Sequence, residues 1–415
     1  MKRDRNAKEE ELKESLGSNL LERNVYLENL IKILTTVSEH TVLALDGKWG
    51  SGKTFFIKQL EYLTKNPKDY PDIALSSIEK FNKYYSIFYF NAWENDNMPP
   101  AESILLRMSE ELWTKREKIS NDILGVAKGL IDIPIKYFSG GSTSIKDFKN
   151  TYISQYIEHA TNVANAGTAI NDILYNYRAS THKKILFIID DLDRCSPTFA
   201  VRLLESMKHT FMSDDAIFLV CANNDQLQHT IKKYYGEGFN GYEYLDRFYD
   251  MVINLPEPDI ERYIKYGLNP GDCNYIYNAI AIDIAKNERM SLRQVNRYIS
   301  NIILLRDFLE SRNLRYEERY DVLIKSIFIP IATALKIIDI KKYEDFVSGN
   351  GEYIIDEYVE KSDEIRQYVN PQYNGDLPIK DFYKEIFNPH SQYSSIGDTF
   401  KKAATSIGFS ATIDD

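Results

Sequence analysis

The sequence predicts an α/β fold: a five-stranded parallel sheet, then a helical lid and a helical C-terminal region. Two observations carry this. Five short apolar runs, rich in β-branched and aromatic residues, alternate with stretches of helical periodicity. None of the five alternates strictly between apolar and polar, so each is expected to be buried on both faces, as in a parallel sheet clad by helices. The first run leads into a glycine-rich loop and the third ends in two aspartates. Ligands of such sheets bind at these carboxyl strand ends.

The elements follow in order. Residues 1–19, beginning MKRDRNAKEEELKE, read as a charged, solvated arm; with no apolar run they are not a signal peptide. LLERNVYLENLIKILTTV has helical periodicity, with Leu21, Val25, Leu27, Leu30, Ile31 and Leu34 as its apolar positions. The strands are expected at TVLALD (41–46), YYSIFYFN (84–91), KKILFIID (183–190), AIFLVCAN (216–223) and DMVINLP (250–256). Together, residues 20–256 form the core, with a helical insert at about 100–180. Inside the insert, Asp122, Lys128, Asp132 and Lys136 interrupt DILGVAKGLIDIPIKYF (122–138), and the last three share one helical face. This segment reads as an amphipathic helix on the protein's own core, with a membrane surface as the alternative. Residues 257–312 are expected to be the helical lid and 313–415 a helical C-terminal region. Its tail, from Asn388, is rich in Ser, Thr and Gly and is expected to be mobile.

The 415 residues exceed the usual size of one domain. The net charge of −10, from 51 basic and 61 acidic residues, does not indicate a nucleic-acid binder. Residues 341–415, with 8 basic and 14 acidic side chains, are not a nucleic-acid arm either. Cys195, Cys221 and Cys273 are too widely spaced for a metal pair or a disulfide framework. No apolar run is long enough to span a membrane. A cytoplasmic location is therefore expected.

GKWGSGKT, residues 47–54, fits G-x-x-x-x-G-K-[ST] between a strand and a helix. A loop without bulky side chains can curl its N–H groups around a phosphate, and the following helix aims its positive end at the same oxygens. The expected contacts of ATP are Gly47, Lys48, Trp49, Gly50, Ser51, Gly52, Lys53, Thr54 and Phe55. Lys53 would reach the β- and γ-phosphates, and the Thr54 hydroxyl would ligate Mg²⁺. In FIIDDLDRC, Asp190 is the expected second Mg²⁺ residue and Asp191 the expected general base for an attacking water. A capped turn before a helix is the alternative. Asn223, at the end of AIFLVCAN, is either a sensor of the γ-phosphate or a turn residue. Arg293 and Arg297 lie one helical turn apart, as a solvated face or as a positive pair for the transferring phosphate. CANNDQ lacks the lysine of a guanine-reading motif, so ATP is preferred to GTP.

The extra strand between the loop and the acidic strand resembles the additional-strand class of P-loop NTPases, which includes AAA+ and STAND proteins. More specifically, GKWGSGKT, YFNAWEND, FIIDDLDRC, LVCANNDQL, YLDRFYDMVINLPEP and SLRQVNRYISN, in that order, resemble the KAP family over about residues 20–305. The family often has Asp where Asn223 stands and Pro where Leu292 stands. The resemblance implies an ATP-dependent switch acting through a protein partner, with a homo-oligomer among the options. It also implies a structural role for Trp93, a lid role for Arg293 and Arg297, and a place for Arg194 near the nucleotide or a subunit contact. Members often carry transmembrane helices in the slot that holds 122–138 here, and bacterial members are linked to phage exclusion. Two alternatives to an ATPase remain: a nucleotide-binding oligomerisation module with negligible turnover, and a small-molecule kinase.

Overall fold

A computed structural model describes residues 9–37, 40–67, 75–114, 163–209, 211, 213–268, 275–312, 318–368 and 379–406. The chain divides into two compact units. The first comprises 1–19, 23–49 and 53–256; the second comprises 20–22, 50–52 and 257–415.

The first unit is built on strands β1 (Thr41–Asp46), β2 (Tyr85–Asn91), β3 (Lys184–Asp190), β4 (Ala216–Ala222) and β5 (Met251–Asn254), which lie parallel in the order β2-β3-β4-β1-β5. β4 therefore separates the loop strand from the acidic strand in the sheet, while β2, the extra strand between them in sequence, lies at the edge beside β3. Alternation along the strands divides the core between the two faces of the sheet. Val42, Phe187, Ile189, Phe218 and Val220 join one apolar cluster with helices α5 (Pro100–Thr114), α6 (Val163–Thr181) and α7 (Pro197–His209). Leu43, Leu45, Leu186, Ile188, Ile217 and Leu219 join the other, with α2 (Asn24–Thr36), α3 (Lys53–Lys65) and α4 (Leu75–Tyr84).

Burial on both faces holds for β3 and β4 and fails at the sheet edges. β2 is only partly covered, and on β5 Met251 and Val252 are 45% and 48% exposed. An edge strand has a neighbour on one side only, and helices need not reach it. The charged arm also needs correction. Residues Glu9–Ser18 form helix α1, whose Leu12 and Leu16 are buried, with Leu16 in the sheet-face cluster of α2 and α3. In α2, Leu27, Leu30, Ile31 and Leu34 are buried as expected, but Val25 is exposed. The amphipathic segment 122–138 lies outside the described residues. Among the described residues, no helix is long and apolar enough to cross a membrane.

Among the described residues, the first unit also contains α8 (Asn224–Tyr235) and α9 (Gly241–Asp246). The second unit is helical: α10 (Ile260–Gly267), α11 (Tyr275–Asn287), α12 (Leu292–Glu310), α13 (Glu318–Leu323), a π-turn at Ile324–Phe328, and α14 (Ile329–Ile338) through α19. Among the described residues, the chain continues with α15 (Ile340–Ser348), α16 (Glu352–Lys361), α17 (Asp363–Tyr368), α18 (Ile379–Phe387) and α19 (Ser394–Ser406). One apolar core runs through this unit, centred on Phe328, Phe346, Phe382, Tyr383 and Phe400. The Tyr383 hydroxyl ties it together by donating to the Phe346 carbonyl (2.7 Å) and accepting from the Gly351 N–H (2.9 Å). The expected mobile tail thus contains a packed helix, α19, with Ile396, Phe400, Ala403 and Ala404 buried. Its apolar residues recur at helical spacing, which outweighs the Ser and Thr content.

Candidate nucleotide site

The carboxyl ends of β2, β3, β4 and β1 bring the motifs into register. Asn91 pairs with Asp190, Asp190 with Cys221, and Asp46 with Ala222. The glycine-rich loop leaves β1 here and α3 begins at Lys53. Gly50 and Gly52 have φ of +76° and +91°, a region that side chains disfavour. The loop is anchored at its start by the Gly47 N–H, which donates to the Ala222 carbonyl (3.3 Å). Lys53 is buried, and its ammonium donates to the carbonyls of Gly47 and Lys48. Phe55 is half-buried in the first turn of α3.

Asp190 is 1% exposed. Its Oδ2 accepts from the Tyr89 hydroxyl (2.9 Å) and its Oδ1 from the Asp191 N–H (2.9 Å), and Thr54 also hydrogen-bonds to it. Burial, and then the neighbouring Asp191 charge, raise its carboxyl pKa to about 6 against the lowering effect of these donors. A hydroxyl and a carboxylate thus meet at one point. Both are hard oxygen donors, which fits Mg²⁺, and a cation there would answer the cost of the buried charge.

Asp191 adopts a left-handed backbone (φ 59°, ψ 29°), unusual for a residue with a side chain. Both of its oxygens are engaged: Oδ1 pairs with Arg194 Nε (3.0 Å), and Oδ2 accepts from Asn91 Nδ2 (3.3 Å). The Arg194 guanidinium in turn lies 5.5 Å from the ring centre of Trp93. Asp193 is buried, which raises its carboxyl pKa, and it accepts from the indole N–H of the half-exposed Trp49. Asn223 is buried at the N-cap of α8, with no side-chain capping bond. Asp46 Oδ1 accepts from the Asn224 N–H beside it (2.9 Å).

Lys53, Thr54, Asp190 and Asp191 are therefore gathered at one end of the sheet, with Asn223 at the tip of the adjoining strand. Arg293 and Arg297 lie in the first two turns of α12 in the second unit, started by a capping box between Ser291 and Gln294. Gly50, Ser51 and Gly52 group with that unit, in which the Arg293 N–H donates to the Gly50 carbonyl (3.4 Å). Sequence reasoning gave no role to Tyr89, Asn91 or Asp193. A signal existed in polar residues at strand ends, since Asn91 closes a strand that pairs in register with the acidic one.

Among solved structures, one titled "Structure of C. elegans PCH-2" matches over 93% of this chain and 68% of that chain, at 12% identity and a TM-score of 0.27, and carries no argument. No curated protein matches. The KAP family P-loop domain matches residues 23–308, well over half of the sequence, from the second helix to the end of α12. With its glycine-rich loop, acidic strand end and strand order, the chain belongs to the KAP family of P-loop NTPases.

Proposed function

We propose that the protein is a Mg²⁺-dependent ATPase whose nucleotide state is read by a protein partner. The observation that carries this is the meeting of Thr54 and Asp190 beside Asp191, at the foot of the loop that ends in Lys53. Thr54 and Asp190 would hold Mg²⁺, which supplies charge neutralisation on the phosphates. Lys53 turns from the loop carbonyls to the β- and γ-phosphates. Asp191 accepts a proton from the attacking water and Asn223 orients that water or the γ-phosphate. The lid role of Arg293 and Arg297 rests on the family resemblance alone, as do the partner and the link to phage exclusion.

One observation favours the second reading, a nucleotide-binding module with negligible turnover. Arg194 and Asn91 occupy both Asp191 oxygens, and a general base needs one of them free. The two readings separate in a Mg²⁺-dependent phosphate-release assay on wild type beside Asp191→Asn. The ATPase reading expects a loss of about 10²-fold or more, the usual size of a general-base effect. Nucleotide binding with no release from either protein would overturn it in favour of the second reading. Transfer of the γ-phosphate to an acceptor other than water would make the protein a kinase.

A further inference from the structure

The turn that follows the acidic pair reaches back to the phosphate loop. Trp49 is the third residue of GKWGSGKT and is 48% exposed. Its one polar side-chain group, the indole N–H, donates to Asp193 Oδ2. Asp193 is buried and lies in the single turn Leu192–Arg194. Two backbone bonds close that turn: the Arg194 N–H donates to the Asp191 carbonyl and the Cys195 N–H to the Leu192 carbonyl, both at 3.2 Å. Leu192 is fully buried in the apolar cluster of α5, α6 and α7 and roots the turn in the core. The acceptor of this bond is therefore fixed, while the donor stands half in solvent.

Lys53 acts on the same stretch of loop. Its ammonium donates to the carbonyls of Gly47 and Lys48, the two residues before Trp49. The Asp193 carboxylate attracts that ammonium while it holds the indole. When Lys53 turns to the phosphates, as proposed above, its bonds to these carbonyls are given up. The Asp193–Trp49 bond uses no group that turns to the phosphates, so it can hold residue 49 in place with nucleotide bound. A loop already held loses less conformational entropy on binding.

We infer that Asp193 is a positioning residue for nucleotide binding: through the Trp49 indole it fixes the phosphate loop against the acidic strand end. This rests on the nucleotide-site reading, which the ATPase and the binding module share. In this role Asp193 touches neither phosphate nor metal and acts through Trp49. Its carboxylate is already committed, to the indole and to its own backbone N–H, which favours positioning over a part in the chemistry.

A double-mutant cycle tests this, read by calorimetric titration of the full chain with Mg²⁺ and a non-hydrolysable ATP analogue. Trp49→Phe keeps an aromatic ring at a half-exposed position and removes the donor. Asp193→Ala removes the acceptor. Each is expected to weaken binding about tenfold, the worth of one charge-assisted hydrogen bond. The double variant should lose no more than either alone, because the two side chains share one bond. Asp193→Asn keeps an oxygen for the indole and should bind more tightly than Asp193→Ala. Losses that add, to about a hundredfold in the double variant, would give the two residues independent roles and overturn the inference. An Asp193→Asn variant as weak as Asp193→Ala would overturn it too. Trp49→Phe does not threaten the fold and decides the matter if Asp193→Ala does not fold: wild-type affinity in Trp49→Phe sinks this inference and leaves the nucleotide site standing. A wild-type protein that binds no nucleotide would instead sink the nucleotide-site reading, and this inference with it.

Discussion

Asp190 is held between opposing forces. Burial and the adjacent Asp191 charge favour its protonated form, while Tyr89, Thr54 and a backbone N–H favour the carboxylate. The folded pKa of about 6 lies above the ordinary 3.8, so the folded protein binds this proton more tightly than the unfolded chain does. A divalent cation needs the carboxylate. Affinity for Mg²⁺ and ATP should therefore fall as pH drops through about 6. Tyr89→Phe removes a donor that lowers this pKa. The midpoint of Mg²⁺-ATP binding should then move to higher pH, whereas protonation of ATP itself is common to both proteins. An unchanged midpoint would show that Asp190 does not hold the metal. Arg194 acts on the neighbouring carboxylate. If Asp191 is the base, Arg194→Ala frees one of its oxygens and should raise kcat severalfold with little change in KM; the loss of all turnover would give Arg194 a direct role on the phosphate instead. The residues proposed to hold phosphate and metal were legible because their types recur at fixed spacing. Those that support them were not: Tyr89 and Asn91 come from a strand about 100 residues earlier in the chain, and only the parallel register shows what they face.

At the scale of elements, the sequence was most informative where side chains are buried on every side. All five strands lie within a residue or two of the apolar runs; for β3 and β4 burial on both faces demands that uninterrupted apolar character. It was least informative where composition and spacing disagree. Half of residues 9–18 are charged, yet Leu12 and Leu16 stand four apart and are both buried. The C-terminal helix hides in the same way behind serines, threonines and lysines. If α1 belongs to the core, Leu16→Ala should cost about 2–4 kcal/mol in chemical denaturation, as for other buried leucines. A loss below about 0.5 kcal/mol, typical of surface positions, would return α1 to the status of an arm. The loop glycines are set by backbone shape. At φ +76°, Gly50→Ala is strained and should weaken ATP binding while leaving the sheet intact, which circular dichroism would verify.

At the scale of the whole chain, each unit has its own apolar core, one divided across a sheet and one running through a helical bundle. A core that closes on itself gives a unit the means to unfold by its own transition. Lys53, Thr54 and the metal and general-base candidates are all in the first unit. Ligand binding adds RT ln(1 + [L]/Kd) to the state that binds, about 2.7 kcal/mol at a hundredfold excess over Kd. In scanning calorimetry, Mg²⁺ with a non-hydrolysable ATP analogue should therefore raise the transition that Leu16→Ala lowers. Phe400→Ala, in the buried centre of the helical unit, should cost about 3–5 kcal/mol and lower a different transition. A single transition moved by all three would mean that the two cores fold as one cooperative body. In that case, nucleotide held by Lys53 and Asp190 would stabilise the helical unit by the same free energy, and a partner bound to that unit would tighten nucleotide binding in return.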